Sequence, residues 1–296
     1  NIARNIYPRI YMMLNEKEEF SNGVSANIVT RDDIWLRESI SSIIKYVDEI
    51  VIVDSSSTRY LEKNKEIISD FKDQINLKYV WKDLDITEAK NLAQDMSDRS
   101  YILRWDGDMI AYNSGEESIE KLFKMLKNPE FENYYYEIYF KFIRMGYDLN
   151  SVPDRDTKYQ REVWLYSKSK DMKWVSKTLP FSTGKKKMDQ PVIPLFYKKK
   201  ILNQVFGVHL WLIHPKEKLK AKTLSGLWRN PSIKAKFKDY KEFYDAYSGQ
   251  INDKEIYSVK VFPANDIRIP DVLKEYKDKS YEEIIKIKSI EYPWII

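Results

Sequence analysis

A chain of 296 residues with 43% hydrophobic and 32% charged side chains can build a sizeable core, which excludes bulk disorder. Cysteine is absent and glycine occurs 8 times, excluding disulfide scaffolds, thiolate metal sites, cysteine nucleophiles and a glycine-rich phosphate loop. The net charge of +5 is uneven: residues 1–150 hold 27 acidic and 20 basic side chains, and residues 151–296 hold 18 and 30, a basic half that suits either an anionic partner or a lysine-rich solvated surface.

Residues 1–23 show no clean period and end in a turn at Ser21-Asn22-Gly23, so they are expected as an N-terminal extension. Val24–Thr30 reads as a short apolar strand. Leu36, Ile40, Ile43, Ile44 and Val47 then follow at helical spacing, with Thr30, Asp32 or Asp33 available as N-cap. Glu49–Val53 reads as a buried strand closing on Asp54-Ser55-Ser56-Ser57-Thr58. A helix at 61–71, a strand at 77–81, a helix from Thr87 and a strand at Tyr101–Trp105 come next. That strand ends on Asp106-Gly107-Asp108, and Ser114 with Glu117 is expected to cap a helix reaching Lys127. Further strands are expected at 134–143, 162–166, 192–197 and 205–213, and helices at 216–228, 239–248 and 271–289.

Strands alternating with helices imply a parallel sheet, and ligands of such sheets lie beyond the carboxyl ends of the strands. The polar clusters at 30–33, 54–58 and 106–108 all fall at such ends. Asp106-Gly107-Asp108 carries the most chemistry. Two carboxylates flanking a glycine can direct oxygens to one Mn²⁺ or Mg²⁺ and to the phosphates it bridges, while the glycine permits a sharp turn. A bare D-x-D is otherwise a common capped turn.

Four segments in register resemble the family 2 glycosyltransferases of the GT-A fold. Ser25–Asp33 is similar to their first strand and its acidic turn. Asp48–Ser55 with Ser57-Thr58 resembles the second strand and its "VDSGSTD" end. Glu88-Ala89-Lys90-Asn91 resembles the segment ending in "ARN", and Tyr101–Asp108 resembles "YILxLDADE". The resemblance implies an α/β, Rossmann-like, mostly parallel sheet with a mixed acceptor-side region and C-terminal helices. Residues 24–130 would form the nucleotide-sugar-binding half, 131–230 the acceptor-side half of the same catalytic domain, and 231–296 a helical region.

The resemblance also implies roles. Thr30, Arg31, Asp32, Asp33, Asp54 and Ser55 would surround the nucleotide, with Asp54 on base or ribose, since a carboxylate accepts from ring N–H groups and hydroxyls. Lys90 and Asn91 would lie near the diphosphate or sugar, and Asp106 and Gly107 against the donor. Asp106 and Asp108 would hold Mn²⁺ or Mg²⁺, with His214 as a further ligand. Such enzymes usually invert, using a carboxylate base in the second half. The acidic pair expected there is replaced by Lys177-Thr178-Leu179-Pro180, which leaves Asp189 or Asp171 as base. His209 and His214 are the only histidines. On a regular strand, residues five apart face opposite ways, so both serve one site only if the strand bends. Lys216, Lys218, Lys220, Lys222 and Arg229 accompany the following helix, as a solvated face or as a segment closing over a diphosphate.

The donor implied is a UDP- or GDP-type sugar. The acceptor would be a glycan, a lipid-linked or another hydroxyl compound, with an anionic acceptor such as DNA compatible with the basic half. A sugar-1-phosphate nucleotidyltransferase would need a glycine-rich basic loop where Thr30-Arg31-Asp32-Asp33 stands. The alternative of another class is a degenerate, non-catalytic module that binds an anionic glycan, membrane or nucleic acid. No apolar run approaches the ~20 residues needed to cross a bilayer. A cytoplasmic location is expected because nucleotide sugars are made there. The stretch Tyr281–Ile296 suits docking on the domain or peripheral contact with a membrane.

Overall fold

The computed structural model describes residues 2–153, 159–181, 184–228, 231–250, 259–264 and 266–295; Arg229 and Ile296 lie outside them. In chain order the elements begin with helix α1 (Ile2–Leu14), strand β1 (Ser21–Thr30), α2 (Leu36–Ile43), β2 (Glu49–Asp54), α3 (Thr58–Ser69), β3 (Asn76–Trp81) and α4 (Ile86–Met96). Next come β4 (Arg99–Asp106), β5 (Met109–Ala111), α5 (Ile119–Leu126), α6 (Pro129–Glu132), β6 (Tyr136–Arg144), β7 (Ser151–Val152) and β8 (Tyr159–Ser167). β9 (Lys173–Phe181), β10 (Gly184–Val192), β11 (Lys198–His209), α7 (Lys216–Trp228), α8 (Pro231–Lys234), α9 (Tyr240–Tyr247) and β12 (Phe262–Pro263) follow. A 3₁₀ turn at Asp271–Tyr276 and a last helix, Tyr281–Glu291, complete the order.

Eight strands form one sheet in the order β3-β2-β1-β4-β8-β6-β11-β5. The first four run parallel, in register from Asn27↔Val51 on one side to Asn27↔Arg104 on the other. Alternation along the strands explains why both faces are covered. In β2, Ile50 and Ile52 enter the main core, while Val51 and Val53 pack with Ala89 and Ala93 of α4 on the opposite face. The main core runs from Val24 to Ile295, so the last helix belongs to it. Strand β8 reverses direction against β4 and β6, and β11 runs parallel to β6. The sheet is therefore a mostly parallel, Rossmann-like one with a mixed second half, as expected. No described helix is long and apolar enough to cross a membrane.

Several expected elements differ. Residues 1–23 contain α1, whose Tyr11 ring stacks on Phe196 at 4.0 Å, and the start of β1. Pro8 inside that helix, together with long-range aromatic packing, obscures its period. Helix α2 has Trp35 at its N-cap, with no side-chain cap. Helix α5 is capped by Ser118, whose hydroxyl accepts from the Glu120 N–H at 3.2 Å, rather than by Ser114. The expected strand at 192–197 is instead the end of β10 and a turn; β10 pairs antiparallel with β9. Strand β11 stops at His209 rather than 213, and the helix expected over 271–289 is broken, with Asp278 at φ 62°.

Candidate functional site

The carboxyl ends of β1, β2 and β4 come together, and hydrogen bonds tie them into one floor. Asp32, at φ 53°, accepts from the N–H and hydroxyl of Ser57, both at 2.8 Å, and its own N–H donates to the Ser56 hydroxyl. Ser55 donates its N–H to the Thr30 carbonyl and its hydroxyl to the Lys82 carbonyl, linking the ends of β1, β2 and β3. Arg31 is exposed and bonds to Asp83 and the Leu84 carbonyl. Gly107 closes the arrangement: a Cβ there would lie 2.7 Å from both Asp33 Oδ2 and Thr30 Oγ1, so only glycine lets the β4 turn approach the β1 end.

Asp54 is turned inward. It is fully buried, and its carboxylate accepts from the Ser56 N–H (2.8 Å), the Asn64 amide (3.0 Å) and the Tyr79 hydroxyl (3.2 Å). Both oxygens are engaged internally, and they tie the loop after β2 to α3 and β3. Replacement by Ala leaves buried donors unpaired, so Asp54→Ala is expected to cost about 1–3 kcal/mol of stability. Urea denaturation checks this. A variant as stable as the parent but defective in nucleotide binding would restore the direct contact.

The turn at Asp106-Gly107-Asp108 sends its two carboxylates apart. Asp106 lies in the field of Lys90 and Arg104. Asp108 points into a buried group formed with Asp33 and His214, whose ligand atoms lie within 4.8 Å of one another. Among the described residues no other such group forms, and Asp106 is not part of it. The group that could hold a metal ion thus joins Asp33, rather than Asp106, to Asp108 and His214.

Strand pairing explains how both histidines arrive. His209 sits opposite Met109 in the β11–β5 pair, and the Leu210 N–H donates to the Asp108 carbonyl at 2.9 Å. A tight turn, with the Ile213 N–H donating to the Leu210 carbonyl, then folds His214 back. The bend lets both rings reach one carboxylate: His209 Nε2 lies 3.1 Å from Asp108 Oδ1, and His214 Nε2 lies 2.9 Å from Oδ2. The backbone around His214 is held by Trp35 Nε1 on the Ile213 carbonyl (2.6 Å) and by the Tyr281 hydroxyl on the His214 carbonyl (2.7 Å).

Charge here is densely compensated. Lys218 pairs with Asp33, and Lys222 Nζ lies 3.3 Å from Asp108 Oδ2. These two residues are four apart on one face of α7, directly after His214-Pro215; Lys216 and Lys220 share that spacing, so the sequence does not single them out. Burial alone would raise the Asp108 carboxyl, but the charges of His209 and Lys222 and the hydrogen bonds from both histidines hold it well below the usual range. Burial, aided by Lys222, lowers His214 from 6.5 to about 4. The unfolded chain therefore binds the His214 proton first as pH falls. Stability of the metal-free protein should be full above pH ~6.5 and decline towards pH ~4, which thermal melts in EDTA can follow. A flat profile over that window would contradict a buried neutral imidazole.

A second polar cluster joins α4, β4, β8 and β10. Lys90, buried over the Trp174 ring at 4.4 Å, pairs with Asp189, and Arg104 pairs with Glu162. Burial and Arg104 lower Lys90. Burial would raise Asp189, but Lys90 holds it below the carboxylate range. Glu162 accepts from the Gln160 amide (2.8 Å), and Gln160 Oε1 faces His209 Nδ1 (3.0 Å), so this cluster connects to Asp108. Glu162, Arg104 and Gln160 were missed because only strand pairing brings them there. The Asn91 amide exchanges two hydrogen bonds with the Trp174 backbone (2.8 and 3.0 Å), fastening β9 to α4. Asp171 follows Ser167, which pairs with Tyr101 near the start of β4, so it is exposed towards the amino ends of the parallel strands, away from the Asp33–Asp108–His214 group.

No curated protein sequence matches the chain significantly. Among solved structures, S. aureus TarS 1–349 is 12% identical, with 68% of this chain covering 64% of that one at a TM-score of 0.42. TarS 1–349 in complex with UDP-GlcNAc is 17% identical over 41% of this chain and 35% of that one, at a TM-score of 0.34. The mannosyltransferase PcManGT from Pyrobaculum calidifontis, in complex with GDP-Man and Mn²⁺, is 11% identical over 99% and 79%, at 0.41. The chain spans 21% of one TarS chain and about a third of two TarS 1–349 chains. The profile of Glycosyl transferase family 2 matches residues 33–189, just over half of the chain. That span holds Asp33, Asp54, the Asp106-Gly107-Asp108 turn and Asp189: the chain belongs to glycosyl transferase family 2 and has its GT-A fold.

Proposed function

We propose that this protein transfers a sugar from a UDP- or GDP-type nucleoside diphosphate sugar to a hydroxyl acceptor, with a divalent metal and with inversion. The observation that carries this reading is the buried Asp33–Asp108–His214 group at the carboxyl ends of a family 2 sheet. Two carboxylates and a neutral imidazole are a donor set suited to Mn²⁺ or Mg²⁺. Lysines already resting on both carboxylates mark a place built to receive positive charge. When bound, the ion supplies charge that stabilises the departing nucleoside diphosphate.

The chain's own residues do the rest. The Thr30, Asp32 and Ser55–Ser57 floor positions the nucleotide, with Asp54 beneath it. Asp106, beside Lys90 and Arg104, faces the donor from the turn. Asp189 lies on the acceptor side, partly exposed and kept ionised by Lys90, and is the carboxylate placed to take the acceptor's proton during in-line attack. The acceptor is a glycan, a lipid-linked or another hydroxyl compound.

A thermal-shift panel of UDP, GDP, CMP, dTDP and ADP, each with Mn²⁺ or EDTA, tests the donor side, because a ligand binding only the folded state raises the melting temperature. One nucleotide stabilising the protein only with Mn²⁺ is expected. No shift at millimolar ligand would favour a binding module without turnover.

A further inference from the structure

We propose that Lys218 and Lys222 are resident counter-cations of the metal centre, which yield the carboxylates to the divalent ion and pass to the donor's diphosphate. The inference rests on the metal-dependent reading above and concerns what occupies that site before the ion does. Lys218 bonds Asp33 Oδ1, the oxygen 4.0 Å from His214 Nε2. Lys222 and His214 share Asp108 Oδ2, at 3.3 and 2.9 Å. These are the lone pairs an ion would need, so ammonium groups and ion compete for the same atoms. An ion entering beside two unmoved lysines would also meet like charge at close range.

The displaced groups have somewhere to go. Both project from one face of α7 on flexible four-carbon stems, and Lys222 is 36% exposed where Lys218 is 10%. A diphosphate held at the same centre offers them new oxygens. Metal and nucleotide therefore bind synergistically: the ion alone must expel the lysines uncompensated, whereas the diphosphate takes them up.

The experiment measures Mn²⁺ binding to the full chain by loss of the free-ion electron paramagnetic resonance signal, alone and with UDP or GDP. In the parent, Mn²⁺ alone should bind weakly and at least tenfold more tightly with the preferred nucleotide. Lys218→Ala and Lys222→Ala should each bind Mn²⁺ alone at least tenfold more tightly than the parent, with a smaller gain from nucleotide. Because Lys218→Ala leaves Asp33 buried without its partner, circular dichroism accompanies it, and the less buried Lys222→Ala carries the same prediction at Asp108. Unchanged or weaker Mn²⁺ binding in the folded variants overturns the proposal and leaves the metal centre intact. Failure of parent and variants alike to bind Mn²⁺ removes the metal centre, and the proposal with it.

Discussion

Asp108→Asn should slow sugar transfer by roughly 100–1000-fold and abolish Mn²⁺-dependent stabilisation by nucleotide. Its carboxylate is fully enclosed and meets His209, His214 and Lys222 at 3.1, 2.9 and 3.3 Å, so it is the charge around which the centre is assembled. An amide of the same shape keeps the packing and removes that charge. The loss corresponds to about 3–4 kcal/mol of transition-state stabilisation, the scale of one lost electrostatic contact in an enclosed site. Stability of the metal-free variant should fall by a smaller amount, about 1–3 kcal/mol, because the three donors retain one weaker acceptor. Turnover of the donor identified by the nucleotide panel, measured with Mn²⁺ and with EDTA, separates the two effects. A variant that keeps the parent's Mn²⁺-dependent shift would place the metal elsewhere.

Lys288→Met carries the largest expected effect on folding. Lys288, on the last helix, is 2% exposed, bonds Glu38 of α2 at 2.7 Å and lies over the Trp35 ring at 4.8 Å. Glu38 Oε1 also accepts from the Tyr276 hydroxyl at 3.1 Å, while its Oε2 has no hydrogen-bond partner. Removing the ammonium leaves a buried carboxylate poorly compensated, which typically costs about 3–5 kcal/mol. In a protein of this size that lowers the melting temperature by roughly 5–8 °C. Pairing it with Glu38→Gln should recover part of the loss, since the unpaired charge dominates it. A single-variant cost below about 1 kcal/mol would mean that the last helix is not anchored through this pair. The effect bears on the site as well, because α2 follows Asp33 and Tyr281 of the same last helix holds the His214 carbonyl.

The parallel half of the sheet is legible from local signals. Each of β1, β2 and β4 is a short apolar run that closes on polar residues, and a buried parallel strand leaves just such a trace. The carboxylate ends were therefore found before any pairing was known. Which carboxylates meet was not legible, because it depends on contacts far apart in the chain. Asp33 reaches Asp108 through the close approach at Gly107, and His214 reaches both through a turn at 210–213 that no periodicity marks. Asp54 shows the converse: its strand-end position was read correctly, but only the structure places Asn64 and Tyr79 on its oxygens. Asp171 lies towards the opposite ends of the parallel strands because β8 runs antiparallel to β4, and strand direction cannot be read from a single apolar run.

The composition of the metal centre is the central claim, and a crystal structure with Mn²⁺ and the nucleotide selected by the thermal panel, with anomalous scattering recorded for manganese, tests it most directly. The expected result is one anomalous peak within coordination distance of Asp33, Asp108 and His214, with Lys218 withdrawn from Asp33. A peak held by Asp106 and Asp108 while Lys218 remains on Asp33, or no peak at all, would contradict it.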